Sequence, residues 1–526
     1  MSSLRLRLDG TQTTDSSLAA EMRRRGWPLP LPFTLVALLA VGILSRWLTR
    51  TELVQAWDAG NFVLALDRFD PLQHQPHLPA VFWWLISLGR WTRPLLGGDG
   101  VAALELVNAM ISAVALPCGL LLGYRLGGWR TAWWLVALLF SAPVLWYYAS
   151  QPLSYGVELG WVVAIGCCAW CLAAGDGRFV LPLAALMATA GGIRPNTPLF
   201  LLPLVVVCCW RGWRRGVAGW RFAAGVALGL GLLAAWGGAF LAEVGGFERF
   251  WPLFQSWKGD HSGQSRGGGL LGNVWLLLRS VGLSAPAALA LALFWPRRPA
   301  PEAAPIPLAS SRWRALFLAL WITPSALYLT LVHFTRMGHA TTLLPAVALA
   351  LAWRLGGASA AKAPLGWPRD LALVVAAQTL LFLLVPGDRF AASLRDFDRE
   401  WGQGIAAARR FDPATTLVVT TGRSNLRAYR LPSVHLPAYD HDRADFRLDQ
   451  DGPTIAVRPP LRRVVVLDRG LRMEPPPLAG TRAEMVIPGR LRLLEVPVPP
   501  GGLELERGAI RALPPAADAG AKDPPS

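Results

Sequence analysis

Residues 57–79 read WDAGNFVLALDRFDPLQHQPHLP. The stretch gathers Asp58, Asp67, Asp70, His74 and His77 into a short part of a chain that is otherwise poor in such groups, with Asn61 and Phe62 close behind Asp58. Pro71, Pro76 and Pro79 keep its second half from being a regular helix, because proline lacks an N–H donor and fixes φ. It follows the first long apolar run, Leu29 to Leu48. Carboxylates and imidazoles at the mouth of an apolar segment have a use if they meet something polar. The plain alternative is a solvated connecting loop, and the rest of the chain decides between the two by the side on which it puts this stretch.

The 526 residues are 53% hydrophobic and only 16% charged, with mean hydropathy +0.37. Soluble domains carry about 25% charged residues. The deficit, with repeated apolar runs near the roughly 20 residues that span a bilayer, makes this a polytopic α-helical membrane protein. The 25 Trp suit interfacial belts. A net charge of +17 raises nucleic acid as a partner. That class is excluded, because the Arg residues are dispersed along short loops between apolar runs, where membrane topology accounts for them. All six Cys lie inside apolar runs and read as buried free thiols; Cys167, Cys168 and Cys171 have no neighbouring His or carboxylate to complete a metal site.

Residues 1–28 are polar, with Arg23, Arg24 and Arg25 just before the first apolar run. That run is too long for a signal h-region and reads as an uncleaved signal anchor. The positive-inside rule then puts the N-terminal segment 1–28 in the cytoplasm and an outer loop, 49–103, on the far side. Within this loop, residues 80–96 are apolar and aromatic but interrupted by Arg90 and Arg93, the pattern of an interfacial helix. Further crossings are expected at about 104–124 and 131–148, joined by a tight turn with Arg125 and Arg130, and at 159–174. Residues 179–210 form a broken pair interrupted at RPNTP, and short helices broken by Gly and Pro often place polar backbone near a site. Runs at 222–241, 271–294, 315–332, 340–353 and 371–386 bring the total to about eleven. Each short loop expected inside carries Arg or Lys.

The transmembrane body therefore covers 29–386, and a different composition follows. LRDFDREWGQGIAAARRF (394–411) has the period of an amphipathic helix. TTLVVTT, RRVVVLD, AEMVIP and RLLEVPV have that of short strands. Residues 387–513 are expected to form a small extracytoplasmic α/β domain, and 514–526 a disordered tail.

On this topology all seven His, with Asp58, Glu158 and Arg194, lie at or beyond the outer face, so reaction chemistry belongs there. Asp58 can act as a general base toward an acceptor hydroxyl, or cap the helix of NFVLALDRF. Arg194, in GGIRPN at the break, can hold a phosphate bidentately or snorkel to the interface. Arg336, in FTRMGH, is a second phosphate candidate or a plain loop charge, and His339 from the same loop is a further candidate. Glu158 near the start of a span is a functional hypothesis by default, its alternative being a wet helix end, and Tyr155 can line the same cavity. His74 and His77 lack the i, i+4 spacing of strong zinc motifs. No cofactor is required, and a divalent metal stays open.

These elements resemble the GT-C fold glycosyltransferases, in the branch holding the dolichyl-phosphate-mannose-protein mannosyltransferases and the bacterial aminoarabinose transferases of lipid A. WDAGNF (57–62) and HQPHLP (74–79) match the first outer loop with its Asp and His-Pro element. GGIRP (191–195) followed by LFLLPL (199–204) resembles the mid-chain element, and WITPSALYLTLVHFTRMGHATTLLPA (321–346) the late span, loop and return. TTLVVTTGRSNLRAYRLPSVHLPAYD (415–440) is similar to the start of the outer domain in bacterial members. The likeness covers most of residues 25–440 in order and spacing. It implies a sugar donor on a polyprenyl phosphate, inversion at the anomeric carbon, Asp58 as catalytic base, and His77 and Arg194 near the donor phosphate or acceptor. It also implies an active site at the outer face, with the acceptor, a lipid, glycan or protein, left open. The basic, Arg-, Ala- and Gly-rich composition is that of a high-GC bacterium, which places the protein in a bacterial cytoplasmic membrane with its outer domain in the periplasm. The chain departs from the family where Ala59 follows Asp58, where Leu78 separates His77 from Pro79, and where His339 replaces a Tyr.

Two other classes compete. A transporter or flippase of lipid-linked sugars predicts ionisable residues in mid-membrane and repeat symmetry; most spans here lack internal charge, Arg279 being an exception. A non-catalytic assembly protein is the other, and the departures at Ala59 and His339 keep it in play.

Overall fold

The computed structural model describes residues 29–69, 83–252, 254–255, 269–294, 310–332, 336–358, 366–386, 390–420, 433–435, 455–457, 460–471, 475–506 and 509–513. The N-terminal segment, His74, His77 and the tail from 514 lie outside them.

Helix α1 (Leu31–Leu48) has 18 residues, a rise of about 27 Å that matches the hydrocarbon thickness. Phe33, Val36, Val41, Leu44 and Leu48 are exposed along it, the side that meets lipid. The first half of the 57–79 stretch is a helix rather than a loop: α2 runs Trp57–Asp67, where no proline interrupts. Helix α3 (Trp83–Thr92), followed by a 3₁₀ turn at Arg93–Leu96, covers most of the apolar, aromatic stretch 80–96. Its ten residues reach about 15 Å, half a bilayer.

Helix α4 (Gly100–Ala113) starts at Asp99, whose side chain accepts from the Val101 and Ala102 N–H groups, a normal N-cap. Helix α5 (Ala115–Ser141) is two antiparallel halves. Gly128 sits at φ +82 between them, a left-handed conformation that glycine adopts without strain. A Cβ on Gly123 would lie 2.7 Å from the Ala132 Cα, so the chain has doubled back. This is the turn expected between Arg125 and Arg130. After α6 (Pro143–Ala149), helix α7 (Ser154–Ala173) runs through the centre of the bundle with 94% of its apolar window buried. Its close approach to α4 depends on Gly160, where a Cβ would sit 2.0 Å from the Ile111 carbonyl oxygen. Small residues that let helix backbones touch are the usual device of membrane helix packing.

Helices α8 (Val180–Ala190) and α9 (Asn196–Arg214) are the expected broken pair, followed by α10 (Gly219–Val244). Then come α11 (Gly269–Ser284), α12 (Pro286–Phe294), α13 (Ser311–Leu331), α14 (Leu344–Ala358) and α15 (Gly366–Leu384). Among the described residues, five helical segments are long and apolar enough to cross a membrane, and six if the bent pair α11–α12 is one span. One of the five, Gly100–Ser141, contains the reversal at Gly128. Against about eleven expected crossings, length and composition alone thus support fewer, because several apolar helices are short. The chain is a polytopic α-helical membrane protein.

The C-terminal region begins with α16 (Ala391–Ala408). Strands β1 (Thr416–Thr420), β2 (Ser433–His435), β4 (Arg463–Arg469), β5 (Arg482–Ile487) and β6 (Leu491–Pro497) form one sheet, in the order β2-β1-β4-β6-β5. Strands β3 (Ile455–Val457), β7 (Leu503–Glu506) and β8 (Ala509–Ala512) form a second, three-stranded sheet. Val465 and Leu467 of β4 pack with Phe397, Trp401 and Ile405 of α16. Val464 and Val466 pack toward Leu503, Leu505 and Ile510 of the second sheet. Buried on both faces, β4 needs the unbroken apolar run Val464–Leu467 that it has. This α/β unit grips the segment leading into α2: the Asp398 carboxylate accepts from the Glu52 N–H at 2.8 Å and the Leu53 N–H at 3.1 Å.

Two outcomes follow from this packing. Gly160→Ala forces a methyl against backbone and lowers stability by about 1–3 kcal/mol, measured by thermal unfolding in detergent. Gly231→Ala, whose Cβ meets nothing within 4 Å, leaves the melting temperature unchanged. Burial, opposed by the two backbone hydrogen bonds, pushes the Asp398 carboxyl from 3.8 up to about 6. A carboxyl raised in the folded state binds its proton more tightly there. Its contribution to stability is complete below the ordinary value and is lost as pH rises through 6. The rise in melting temperature between pH 7 and pH 5 is therefore smaller in Asp398→Asn than in the wild type.

Candidate active site

The polar residues singled out from the sequence converge at one end of the bundle, from four segments. Asp58 lies in the first turn of α2, whose N-cap is Ala56 with no side-chain cap bond. The capping role considered for Asp58 therefore does not describe it. A carboxylate in the first turn is still favoured by the partial positive charge of the helix N-terminus. Asp58 is 7% exposed, and Arg336 Nη1 donates to its Oδ2 at 2.6 Å. Arg336 immediately precedes a 3₁₀ turn, Met337–Thr342, that links α13 to α14. The Asp58 charge raises the Arg336 guanidinium further above its already high value.

The second pair lies deeper. Arg194 occupies the break between α8 and α9, its N–H donating to the Ala190 carbonyl. Its Nε is 3.2 Å from Glu158 Oε2. Glu158, on α7, is 2% exposed. Its Oε1 accepts from the hydroxyls of Thr197 at 2.6 Å and Thr342 at 2.8 Å. One carboxylate thus joins α7, α9 and the 3₁₀ turn. A carboxyl group buried this deeply needs such partners, since burying a polar group without hydrogen bonds is costly.

Tyr155 stands between the pairs. The Arg194 guanidinium lies over its ring, 4.5 Å from the centroid, and both Arg336 and Asp58 are close enough to act on its phenol electrostatically. The His339 ring is tilted against it at 5.8 Å, and Tyr148 meets it edge-on at 4.8 Å. The structure thus brings together Asp58, Tyr155, Glu158, Arg194, Arg336 and His339. His74 and His77 fall outside the described residues. Asp67 does not join the site: it is at the far end of α2, about 13 Å along the axis, ion-paired with Arg93. Among the described residues no group of three or more His, Cys, Asp or Glu is placed to hold a metal.

Thr197, Thr342 and Tyr148 were missed by sequence reasoning. Thr197 carried a readable signal, since it lies three residues after Arg194 in RPNTP. Thr342 and Tyr148 sit in runs that look like ordinary helix starts and aromatic packing.

Helix α2 is fixed at its other end too. Arg90 donates to the Leu66 and Ala65 carbonyls, capping the C-terminus of α2, and its third nitrogen donates to Glu243 of α10 at 2.7 Å. The Trp83 indole donates to the other Glu243 oxygen.

The architecture is the GT-C fold. Among solved structures, the chain is similar to ArnT from Cupriavidus metallidurans bound to undecaprenyl phosphate, with a TM-score of 0.55 at 13% identity, covering 88% of this chain and 97% of that one. The apo state of the same protein gives 0.55 at 14% identity, over 88% and 98% of the two chains. An oligosaccharyltransferase from Archaeoglobus fulgidus, in complex with Zn and sulfate, aligns with a TM-score of 0.39 at 13% identity over 82% of this chain and 67% of that one. No protein-family profile and no curated protein sequence matches the chain.

The buried pair makes a quantitative expectation. Glu158→Ala leaves the Arg194 guanidinium without its anion and costs about 3–5 kcal/mol. The Glu158→Ala/Arg194→Ala double variant is less destabilised than the sum of the single variants. Thermal unfolding of the four proteins in detergent checks both statements.

Proposed function

We propose that the protein is an inverting glycosyltransferase. It moves a sugar from a polyprenyl-phosphate donor to a lipid, glycan or protein acceptor at the outer face of a bacterial cytoplasmic membrane. The observation that carries the reading is the Asp58–Arg336 pair, a buried carboxylate beside a fixed cation at a helix N-terminus, within a GT-C fold. The undecaprenyl phosphate bound by the similar ArnT supports the choice of donor.

In this reading an acceptor hydroxyl attacks the anomeric carbon and Asp58 takes its proton. The bond from that carbon to the phosphate oxygen breaks, and the polyprenyl phosphate leaves with the electron pair. Arg336 and Arg194 meet the charge that develops on the leaving group. A donor phosphate that engages Arg336 frees Asp58 Oδ2 for the acceptor, so loading the donor arms the base. Tyr155 and His339 form a wall of the sugar site, Glu158 holds Arg194 in place, and His74 and His77 contribute to binding donor or acceptor. Residues 29–386 make up the catalytic membrane body, and residues 387–513 a periplasmic domain above it.

The test is transfer of radiolabelled sugar from polyprenyl-phosphate donors to membrane acceptors, with wild type and Asp58→Asn at equal expression. Loss of a general base lowers the rate by about 10²–10⁴-fold. Asn keeps the size of the side chain, so a folded variant with undiminished transfer removes Asp58 from the chemistry. A wild type that carries lipid-linked sugar across vesicles without transferring it identifies a transporter instead.

A further inference from the structure

A second polar site lies beside α1, apart from the pairs described above. A cavity of about 230 Å³ is lined by Arg50, Thr51, Glu52, Asp99 and Glu105, with Val101 and Ala102. Its lining includes none of Asp58, Tyr155, Glu158, Arg194 or Arg336.

Glu105 is the group that needs explaining. It is 1% exposed, and its Oε1 accepts from the Thr51 hydroxyl at 2.6 Å. Its Oε2 is buried and has no hydrogen bond; Arg50 Nε is 3.9 Å away, outside hydrogen-bond reach. Leaving a buried carboxylate oxygen unsatisfied is costly. Glu105 lines a cavity with room for several waters or a small polar group, and a cationic donor that reaches its buried oxygen gains a charge-assisted bond.

The other groups define what that donor is attached to. Glu52, Asp99 and Glu105 outnumber Arg50, so the cavity favours a cation. Asp99 already caps α4 through one oxygen. Arg50 offers an anion-binding group at the edge of the same cavity. Its guanidinium lies over the Trp47 ring at 4.0 Å and donates to the Trp47 carbonyl. This anchors it at the end of α1, next to Leu48, which is 71% exposed. Trp and Arg at the end of a lipid-facing helix mark the headgroup level of a bilayer. A ligand with a cation, an anion a short tether away and a place at that level is a zwitterionic lipid headgroup.

We propose that this cavity binds the headgroup of a phospholipid carrying a primary ammonium, with the ammonium at Glu105 Oε2 and the phosphodiester at Arg50. The site does not depend on the glycosyl-transfer reading. A trimethylated ammonium has the same charge but no N–H to give Glu105, so the site separates the two headgroups by hydrogen bonding rather than by charge.

The experiment uses the full chain, delipidated in detergent and titrated with phosphatidylethanolamine, phosphatidylcholine or phosphatidylglycerol of identical acyl chains, with retained lipid counted by native mass spectrometry. The wild type retains phosphatidylethanolamine about fivefold more than phosphatidylcholine, the ratio that one net hydrogen bond supports, and more than phosphatidylglycerol. Glu105→Gln, which keeps an acceptor for Thr51, brings phosphatidylethanolamine and phosphatidylcholine to parity. Arg50→Gln lowers retention of phosphatidylethanolamine while leaving its preference over phosphatidylcholine. Equal retention of the three lipids by the wild type overturns the proposal, as does a phosphatidylethanolamine preference that survives Glu105→Gln. The wild-type ratio decides the matter even if a variant fails to fold.

Discussion

Charge cannot be left alone among apolar helices. The two ion pairs at the site end, Asp58–Arg336 and Glu158–Arg194, satisfy that constraint with partners far apart in sequence, and the arrangement of the bundle follows from it. Asp58 and Arg336 are 278 residues apart. Glu158 draws in Arg194, Thr197 and Thr342, so it fixes the positions of α7, of the break between α8 and α9, and of the turn after α13. The hydrophobic effect brings apolar helices into a bilayer but discriminates little among ways of packing them there, since lipid tails are as apolar as leucine. Close backbone approach, as at Gly160, and buried polar pairing select one arrangement.

The same pairs prepare the site for an anion. Both guanidinium groups are already oriented by carboxylates, so a phosphate that takes over one of them meets a donor whose side-chain freedom is already spent. Helix α2 is held at its N-terminal end through Asp58 and at its C-terminal end through Arg90, and the segment before it is tied to Asp398 of the C-terminal region. The carboxylate at the centre of the proposed chemistry therefore sits on a short helix fastened at three places, which is how a reactive group is kept in one geometry.

Much of this was legible in the sequence. The membrane class, the hairpin turn at Arg125–Arg130, the helix at Arg90 and the broken pair around Arg194 all follow from apolar periodicity and from where Arg, Gly and Pro interrupt it. That Asp58, Glu158, Arg194 and Arg336 share one end of the bundle followed from counting crossings and the sidedness of the basic loops. Which acid meets which base did not follow. Asp58 pairs with Arg336 and Glu158 with Arg194, and nothing in the local patterns around these residues encodes the choice. The helical state of 57–67 was obscured because the prolines that break the stretch all lie after it. Thr342 was invisible as a site residue because a threonine at a helix start is usually only a cap, whereas Thr197 was signalled by its place three residues after Arg194. The Glu105 cavity was unreadable too, since a lone Glu in GVAALELVNAM gives no hint that Thr51 and Arg50 face it.

The grip of Arg90 and Trp83 on Glu243 ties the end of α2 to helix α10. Helix α10 has 26 residues and rises about 39 Å, longer than a hydrocarbon core of about 30 Å. Only 11% of its apolar window is buried against the rest of the bundle, so lipid surrounds most of it. A helix too long for its bilayer tilts, and through Glu243 and Arg90 helix α10 is joined to the C-terminal end of the helix bearing Asp58.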